Sequence, residues 1–549
     1  MAEKTKSAHD LAKKQRDISI AEFFEKNRHL LGFDNKRKAL MTAVKEAVDN
    51  SLDACEEARI QPEIIVEITD MGNDRFVVAV EDNGPGIVEK QIPKIFAKLL
   101  YGSKFHKLSQ SRGQQGIGIS ATVLYSQLTT GKPSRITSKI SPTDPAHYYE
   151  LRIDTKENKP EIIKDEEIEW KKDHGTRIEV ELEASYQKGF QSVDEYLKQT
   201  AIVNPHVTII YTTPKAEQMI FPRATEEMPK EAVEIQPHPY GVEIGKMMKM
   251  LDDTESKTLQ QFLTNEFSRV GAGTAKEICS NAGLLTTTKP SEMERIHVEK
   301  LMEGVKKTKI MAPPTDCISP IGAALIEKGL QKEIKAEFYA SVSRPAAVYR
   351  GNPFVIEAGI AWGGDLPGDG TVALLRFANR VPLLYQQGAC AITEAVTKTN
   401  WKPYGLQQSG SNMPVGPAVI IVHMASVWVP FTSEAKEALA HYNEIMAEIK
   451  LALQECGRKL GLYVNKKKRI SQALERANLF ESYIPEVAEQ IAFLSGRPKE
   501  HILQKLKAMT QKEEIQKMIG AMAPKEDEER EEGYGITLNR GENDEDSKE

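Results

Sequence analysis

The fold is decided by a stretch at residues 46–53 that reads EAVDNSLD, inside a segment of helical periodicity from 38 to 58. Three of its polar residues, Glu46, Asn50 and Asp53, are spaced i, i+4 and i+7, and therefore share one helix face within roughly 60°. The apolar and small residues form a stripe on the opposite face: Leu40, Val44, Ala47, Val48, Ser51 and Leu52. A solvated face could also carry three polar residues, but such faces more often bear long Lys and Glu side chains, and Asn is a poor helix former. The stretch therefore indicates a helix that presents short polar groups to a ligand.

Two glycine-rich motifs follow this helix. The first reads DNGPG at 82–86 and comes directly after a predicted strand, so that Asp82 can accept a hydrogen bond from an exocyclic amine. The second reads RGQQGIGIS at 112–120 and precedes an apolar helical stretch, where exposed backbone N–H groups suit phosphates. Each motif alone is explained as well by a tight turn or an ordinary loop. A later strand then opens with His174-Gly175-Thr176.

The order and spacing of these motifs resemble the GHKL ATPase family. That family includes gyrase, the mismatch-repair protein MutL, the large heat-shock chaperone and the histidine kinases. The sequence contains neither a Walker A lysine loop nor a kinase HRD motif, which excludes the other common nucleotide folds. The resemblance implies an α/β sandwich, the Bergerat fold, with ATP and Mg²⁺ as its cofactors.

The resemblance also implies a role for individual residues. Glu46 corresponds to the catalytic general base that deprotonates the attacking water, and Asn50 to the direct Mg²⁺ ligand. Asp82 corresponds to the residue that reads adenine, with Thr176 as its support. The remaining nucleotide contacts implied by the family are Asp53, Gly84, Gly86, Ser103, Lys104, Gly113, Gln114, Gln115, Gly116, Ile117, Gly118, Ile119 and Ser120.

A second resemblance covers about residues 17–463 and concerns the B subunits of topoisomerase VI. It is carried by MAPPTDC at 311–317, LRFANRVPLLY at 375–385, WKPY at 401–404 and VPFTSE at 429–434. The family implies an ATP-hydrolysing type II DNA topoisomerase, in which Lys402 is a second catalytic residue that reaches the γ-phosphate. ATP would close two such subunits into a clamp around double-stranded DNA. A DNA-cleaving A subunit, held through a long helix at 434–463, would complete a heterotetramer of two A and two B subunits that relaxes supercoiled DNA.

The expected fold class is a multidomain α+β protein. We expect an N-terminal strap at 1–18, the GHKL domain at 19–236 and a helix-two-turns-helix insert at 237–309. A transducer with a right-handed βαβ fold and the long helix should occupy 310–470. Residues 471–549 should form a charged tail, acidic and disordered at its end.

Composition places limits on partners and compartment. Residues 525–549 carry 11 acidic and 4 basic residues, a net charge of −7, which leaves 69 basic and 68 acidic residues elsewhere. The body is therefore nearly neutral and can carry local basic patches. Five scattered cysteines and the lack of a signal peptide or an apolar membrane span predict a cytoplasmic protein without a membrane partner.

Two other functions compete with the topoisomerase. An ATP-gated protein clamp or chaperone would share the ATP site, but it should lack the helical insert and WKPY. A histidine kinase should have a phospho-acceptor helix before the ATP site. One departure from the topoisomerase pattern is KGFQ at 188–191, where some relatives carry a basic KGRR loop, and this puts that DNA contact in doubt.

Overall fold

The computed structural model describes residues 12, 15, 17–104, 107–113, 116–433 and 436–509. Contacts divide the chain into two compact units, of which the first ends at Gly461 and the second begins at Leu462. The predicted strap falls almost wholly outside the described residues, as do Gln114, Gln115 and the acidic end of the tail. Among the described helices, we find none with the length and apolar character that a membrane crossing requires.

An eight-stranded sheet forms the first half of the chain. Its order is β5-β4-β3-β6-β2-β1-β7-β8, and all neighbours are antiparallel except β1 and β7, which run parallel. The strands are β1 (Glu63–Gly72), β2 (Arg75–Asp82), β3 (Ser134–Lys139), β4 (Ala146–Asp154), β5 (Lys159–Ile168), β6 (Gly175–Glu183), β7 (Thr208–Thr212) and β8 (Gln218–Phe221). The strands expected near 64–68, 76–80, 149–153 and 176–182 are confirmed as β1, β2, β4 and β6.

Alternating burial in the strands fixes which face carries the helices. Ile64, Val66 and Ile68 of β1 are buried while the residues between them are only partly so, as a one-sided sheet requires. The helices of this region are α1 (Ile20–Lys26), α2 (Lys36–Glu57), α3 (Ile92–Ala97), α4 (Gly118–Thr130) and α5 (Val193–Val203). Helix α2 packs its stripe on β2 and α4 packs on β6, so the predicted α/β sandwich is confirmed.

Four helices follow with a hydrophobic core of their own. They are α6 (Ile244–Asp253), α7 (Leu259–Glu266), α8 (Ala272–Ala282) and α9 (Arg295–Lys307). Their core centres on fully buried side chains such as Phe262, Leu263 and Leu301. The wholly helical character expected for this part of the chain is therefore confirmed.

A second sheet begins after helix α10 (Ala323–Glu333). Its order is β10-β11-β14-β12-β13, and β9 also pairs with β11. The strands are β9 (Phe338–Ser343), β10 (Ala347–Tyr349), β11 (Asn352–Trp362), β12 (Ala373–Ala378), β13 (Val381–Pro382) and β14 (Ala418–Ser426). Strands β12 and β14 run parallel and are joined through helix α11 (Ala391–Lys398), which gives the βαβ unit expected of a transducer.

The long helix differs from its predicted bounds. Helix α12 runs from Asn443 to Ser495, not from 434 to 463, and α13 (Lys499–Ala508) follows it. Phe431 pairs with Leu439 in an isolated β-bridge, and the described residues 436–442 are not helical, so the helix begins late. It continues past the expected end because residues 464–495 contain no glycine that would end it. The one proline of this stretch, Pro485, is accommodated inside the helix.

Candidate nucleotide-binding site

A cavity of about 610 Å³, here called the first cavity, opens where α2 and the N-terminus of α4 face the first sheet. Helix α2 contributes Glu46 and Asn50, and the ends of β2 and β6 contribute Asp82 and Thr176. Residues from four separated motifs therefore converge on one space. This volume lies within the range of small-molecule and cofactor pockets.

Asp82 is held rigidly at the floor of the first cavity. Its Oδ2 accepts a hydrogen bond from Ser51 Oγ at 2.8 Å, and its Oδ1 accepts from the backbone N–H of Gly84 at 2.9 Å and of Thr176 at 3.2 Å. Burial raises the pKa of this carboxyl, although those hydrogen bonds oppose the rise. An oriented carboxyl in an apolar recess can read the donor edge of a base.

Glu46 lies at the opposite end, against the start of α4. A Cβ placed on Gly118 would meet the Glu46 carboxylate at 1.8 Å, so a side chain there would displace that carboxylate. Lys45 Nζ lies 3.1 Å from Glu46 Oε1. Burial favours the neutral acid, but the charges of Lys45 and Lys436 outweigh it, so the pKa of Glu46 lies below its ordinary value. Glu46 is therefore ionised at neutral pH and can accept a proton.

The other lining residues form a polar rim. Asn50 is exposed to the first cavity, and a Cβ on Gly113 would stand 3.9 Å from its Oδ1. Gly86 adopts φ +71°, and a Cβ there would meet the Lys139 carbonyl oxygen at 2.0 Å. The further predicted residues that line the first cavity are Ser103, Lys104, Gly116, Ile117, Gly118 and Ile119.

Besides Lys402, three of the predicted contacts that the structure describes lie outside the lining. Gly84 is buried beneath Asp82, where a Cβ would approach Asp82 Oδ1 to 2.9 Å. Ser120 is buried and donates its hydroxyl to the Ile117 carbonyl at 3.1 Å. Asp53 is engaged in ion pairs with Lys104 at 2.6 Å and Arg112 at 2.8 Å. Asp53 is thus drawn to the far side of Lys104 and supports the site without lining the first cavity.

The structure does not bring Lys402 to the first cavity. Lys402 is exposed at the start of the 3-10 helix Lys402–Tyr404. The turn is anchored by Trp401, fully buried, and by Tyr404, whose ring lies against Gly457 of α12. This anchoring fixes Lys402 beside the long helix, so its predicted approach to a γ-phosphate is not supported.

Lys436 lies where Lys402 was expected. It lines the first cavity, and its Nζ donates to the Arg112 carbonyl at 2.9 Å. Burial lowers the pKa of Lys436, and the Glu46 carboxylate counters part of that effect. Sequence reasoning also missed Lys45, whose Nζ lies 3.3 Å from Asp49. Lys45 directly precedes EAVDNSLD and Lys436 lies two residues after VPFTSE, but the motifs give no sign that these lysines face the nucleotide site, which only the tertiary fold shows.

Comparison with known proteins agrees with this geometry. Residues 35–186 match the family model of the histidine kinase-, DNA gyrase B- and HSP90-like ATPase, and residues 313–476 match the topoisomerase VI B subunit transducer. The B subunit of the type 2 DNA topoisomerase 6 of Methanococcoides burtonii is 56% identical over 486 residues, covering 88% of this chain and 78% of that relative. The chain belongs to the family of topoisomerase VI B subunits.

Other members show the same breadth of similarity. The Methanosarcina mazei protein is 53% identical over 502 residues, covering 91% of this chain and 80% of the relative. The Archaeoglobus fulgidus protein is 48% identical over 479 residues, covering 87% and 79%. Among solved structures, the gyrase B-subunit of Myxococcus xanthus aligns at 12% identity with a TM-score of 0.38, covering 80% of this chain and 95% of that one, a superposition too loose to add to the assignment.

Membership in this family makes the chain the ATP-driven B subunit of a type IIB topoisomerase, with a nucleotide-binding domain followed by a transducer. The alternatives of a chaperone or a histidine kinase are not favoured, because the transducer match runs through the second sheet and into the long helix. The first cavity belongs to the nucleotide-binding domain, and Lys436 reaches it from the transducer.

The stretch that precedes Gly113 is hydrogen-bonded to three transducer segments. The Ser319 backbone N–H donates to Gln110 Oε1 at 2.7 Å, and Gln110 Nε2 donates to the Ser319 carbonyl at 3.2 Å. The Ser111 carbonyl accepts from Asn379 Nδ2 at 3.1 Å, and the Arg112 carbonyl accepts from Lys436. The base of the glycine loop is therefore connected directly to the transducer.

Proposed function

We propose that the first cavity binds ATP with its adenine on Asp82 and its γ-phosphate between Glu46 and Lys436. The observation that carries this proposal is the convergence of those three side chains on one cavity, although Lys436 comes from a different domain. Asp82 is oriented by three hydrogen bonds, which leaves a lone pair free for an exocyclic amine. Gly113 and residues 116–119 also line this space, and their backbone suits the phosphates.

We propose that Asn50 holds Mg²⁺. Its amide oxygen faces the first cavity within one helical turn of Glu46, and Mg²⁺ prefers oxygen ligands. Within the described residues, no group of three or more His, Cys, Asp or Glu side chains could hold a metal ion by itself. A single amide oxygen therefore fits an ion whose other ligands are phosphate oxygens and water. When bound, Mg²⁺ would neutralise charge that develops on the phosphates.

In hydrolysis, Glu46 would accept a proton from water while the water oxygen forms a bond to the γ-phosphorus. The bond from that phosphorus to the bridging oxygen breaks, and ADP leaves with the electron pair. The lowered pKa of Glu46 keeps it ionised for this task. The Lys436 ammonium would leave the Arg112 carbonyl and donate its hydrogen bond to the γ-phosphate instead, because a lysine is a flexible point charge.

The finer features of the family's function are also proposals for this chain. ATP would join two B subunits into a clamp on a DNA duplex, and a DNA-cleaving A subunit would complete a heterotetramer of two A and two B subunits. The KGFQ loop supplies little positive charge for DNA, because Lys188 is paired with Glu217 at its side and Phe190 is exposed. We therefore expect DNA contacts at other surfaces.

The experiment combines a Glu46→Gln variant with measurements of ATP binding, hydrolysis and, in complex with an A subunit, supercoil relaxation. Glutamine keeps the shape of the side chain but cannot accept the proton. Hydrolysis should fall by about 10²- to 10⁴-fold while binding of a non-hydrolysable analogue changes little. Hydrolysis within a few-fold of the wild type would refute the assigned base, and loss of binding would point to a structural role instead.

A further inference from the structure

A second cavity, of about 310 Å³, lies at the junction of the nucleotide-binding domain and the transducer. This space, here called the junction cavity, is lined by Lys104 and Arg112 from the first domain and by Ser319 and Arg380 from the transducer, among others. Lys104 also lines the first cavity, so the two spaces lie on either side of one lysine. The first cavity ends at Gly113, and the junction cavity begins at its neighbour, Arg112.

Arg380 is a buried cation that lacks a counterion among the described residues. It is 3% exposed, and no described carboxylate lies within 4.0 Å of its guanidinium. Its Nη2 donates to the Pro320 carbonyl at 3.1 Å, whereas its buried Nη1 has no hydrogen-bond partner in the described part of the chain. Burial lowers its pKa, and the nearby Arg112 adds to that effect, while the charges of Glu56 and Glu357 oppose it only in part. A buried charge without a partner costs several kcal/mol.

The backbone at this position is also unusual. Arg380 adopts φ +64° directly after Asn379 at φ +46°, a left-handed pair that forms the two-residue turn between β12 and β13. Asn or Gly is the ordinary residue for such a conformation, and a long side chain is rarely found there. Backbone strain of this kind persists where it positions a functional group. Here it directs a guanidinium into the junction.

Two more donors in the junction cavity are buried and unpaired among the described residues. They are Arg112 Nε and Ser319 Oγ, on residues that are 5% and 6% exposed. Four carboxylates also line the cavity, those of Asp53, Glu56, Glu57 and Glu231, and the first two are ion-paired with Arg112. Lys104 pairs with Asp53 as well. Lys104 is shared with Glu57. Over the whole lining there are six cations against the four carboxylates, an excess of two positive charges, and the cations are Arg59, Lys104, Lys107, Arg112, Lys230 and Arg380.

We propose that the junction cavity is a binding site for inorganic phosphate, held by Arg380, Arg112 and Ser319, which receives the phosphate released in the first cavity. Three donors that are unpaired among the described residues, on side chains that line one cavity, together with an excess of positive charge, suit a tetrahedral oxyanion. The volume of the junction cavity, half that of the first cavity, is sufficient for phosphate. The claim that the bound phosphate is the product of ATP hydrolysis rests on the proposed function, whereas the phosphate site itself does not.

The first test measures phosphate binding to the full chain with the first cavity saturated by ADP and Mg²⁺. Inorganic phosphate is titrated against chloride at constant ionic strength, and the unfolding midpoint is recorded. The wild type should be stabilised by phosphate, and Arg380→Met should weaken the apparent affinity at least tenfold. Ser319→Ala, a small change, should weaken it several-fold, so the test does not depend on one variant. Unchanged affinity in both variants would overturn the proposal.

Arg376 provides a matched control. It is a buried arginine of β12 whose Nη2 donates to the carbonyls of Leu383 and Tyr385 at 2.6 and 3.0 Å, and it lines neither cavity. Arg376→Met should keep the response to phosphate even if it lowers stability. Equal loss of the phosphate response in Arg376→Met and Arg380→Met would mean that sheet damage, not a site, explains the result.

The second test follows a single turnover of ATP. In the wild type, free phosphate detected with a fluorescent sensor should lag behind bond cleavage measured by chemical quench, and Arg380→Met should shorten that lag. If free phosphate appears together with cleavage in the wild type, the claim that the junction cavity receives the product is overturned, even where the phosphate site itself is intact. If Glu46→Gln retains Arg380-dependent phosphate binding, the site stands whether or not the assigned base is right.

Discussion

Substitution of Lys436 by alanine tests how the transducer senses nucleotide. Lys436 Nζ lies 2.9 Å from the Arg112 carbonyl, and the Glu46 carboxylate is the main group that stabilises its charge. A charge-assisted hydrogen bond to the γ-phosphate contributes about 1.5–3 kcal/mol. At about 1.4 kcal/mol for each factor of ten, its loss should lower kcat about 10- to 150-fold. Binding of ADP should change little, because that nucleotide lacks the contacted group.

The matched control is Lys402→Ala. Both lysines belong to the transducer, but Lys402 is exposed on the turn anchored by Trp401 and does not line the first cavity. Steady-state ATPase rates of the two variants, measured with the same A subunit and DNA, should therefore separate by at least tenfold. The reverse order would restore the sequence-based assignment of Lys402 and remove Lys436 from the mechanism.

The pH dependence of the ATPase reaction gives a second test of the role of Lys436. Because burial lowers the pKa of Lys436, its charge is lost as pH rises through a value below that of an ordinary lysine. The kcat/KM for ATP should fall in this alkaline range, and Lys436→Arg should move the fall to higher pH because arginine stays charged. A profile that is identical in the arginine variant would refute the assignment.

Three further predictions concern stability and assembly. Arg112→Met should lower the free energy of unfolding in denaturant by about 3 kcal/mol, the lower end for a broken buried ion pair, because Asp53 keeps Lys104 and Glu56 keeps His206 as partners. The exposed Arg135→Met should lower it by less than about 1 kcal/mol. His423, fully buried against Glu357, has a pKa lowered by burial, so the unfolded state gains a proton that the folded state does not as pH falls below about 6.5. Stability should therefore decline by up to about 1.4 kcal/mol per pH unit toward pH 5, and His423→Gln should flatten that slope in equilibrium denaturation. A non-hydrolysable ATP analogue should shift the isolated chain toward a dimer in sedimentation more than ADP does, and a nucleotide-independent dimer would contradict the clamp.

Local patterns predicted much of the fold. The period-two burial of Ile64, Val66 and Ile68 and the helical stripe of α2 were both readable from sequence, because each depends only on neighbours along the chain. The bounds of α12 were not readable. The segment after Phe431 is rich in helix formers, but the structure pairs Phe431 with Leu439 in a β-bridge, which no periodic pattern in the sequence indicates.

The nucleotide site was predictable to the same extent. Glu46, Asn50 and Asp82 belong to motifs whose spacing is fixed within one domain, and the structure brings them to one cavity. Lys436 could not be found in that way, because its proximity to Glu46 arises from the packing of the transducer against the first domain. Asp53 shared the polar face of α2, yet Lys104 and Arg112 bind it from the other side.

The connection between nucleotide and transducer depends on the backbone of residues 110–112 more than on their side chains. The acceptors for Asn379 and Lys436 are the carbonyls of Ser111 and Arg112, which lie two residues and one residue before Gly113. Substitution of a side chain in this stretch leaves those carbonyls in place, whereas a shift of the glycine loop around phosphates moves them. The transducer is therefore positioned to respond to the path of the loop itself. Residues that hold this path, Arg112 above all through Asp53 and Glu56, should influence coupling even though they never contact the nucleotide.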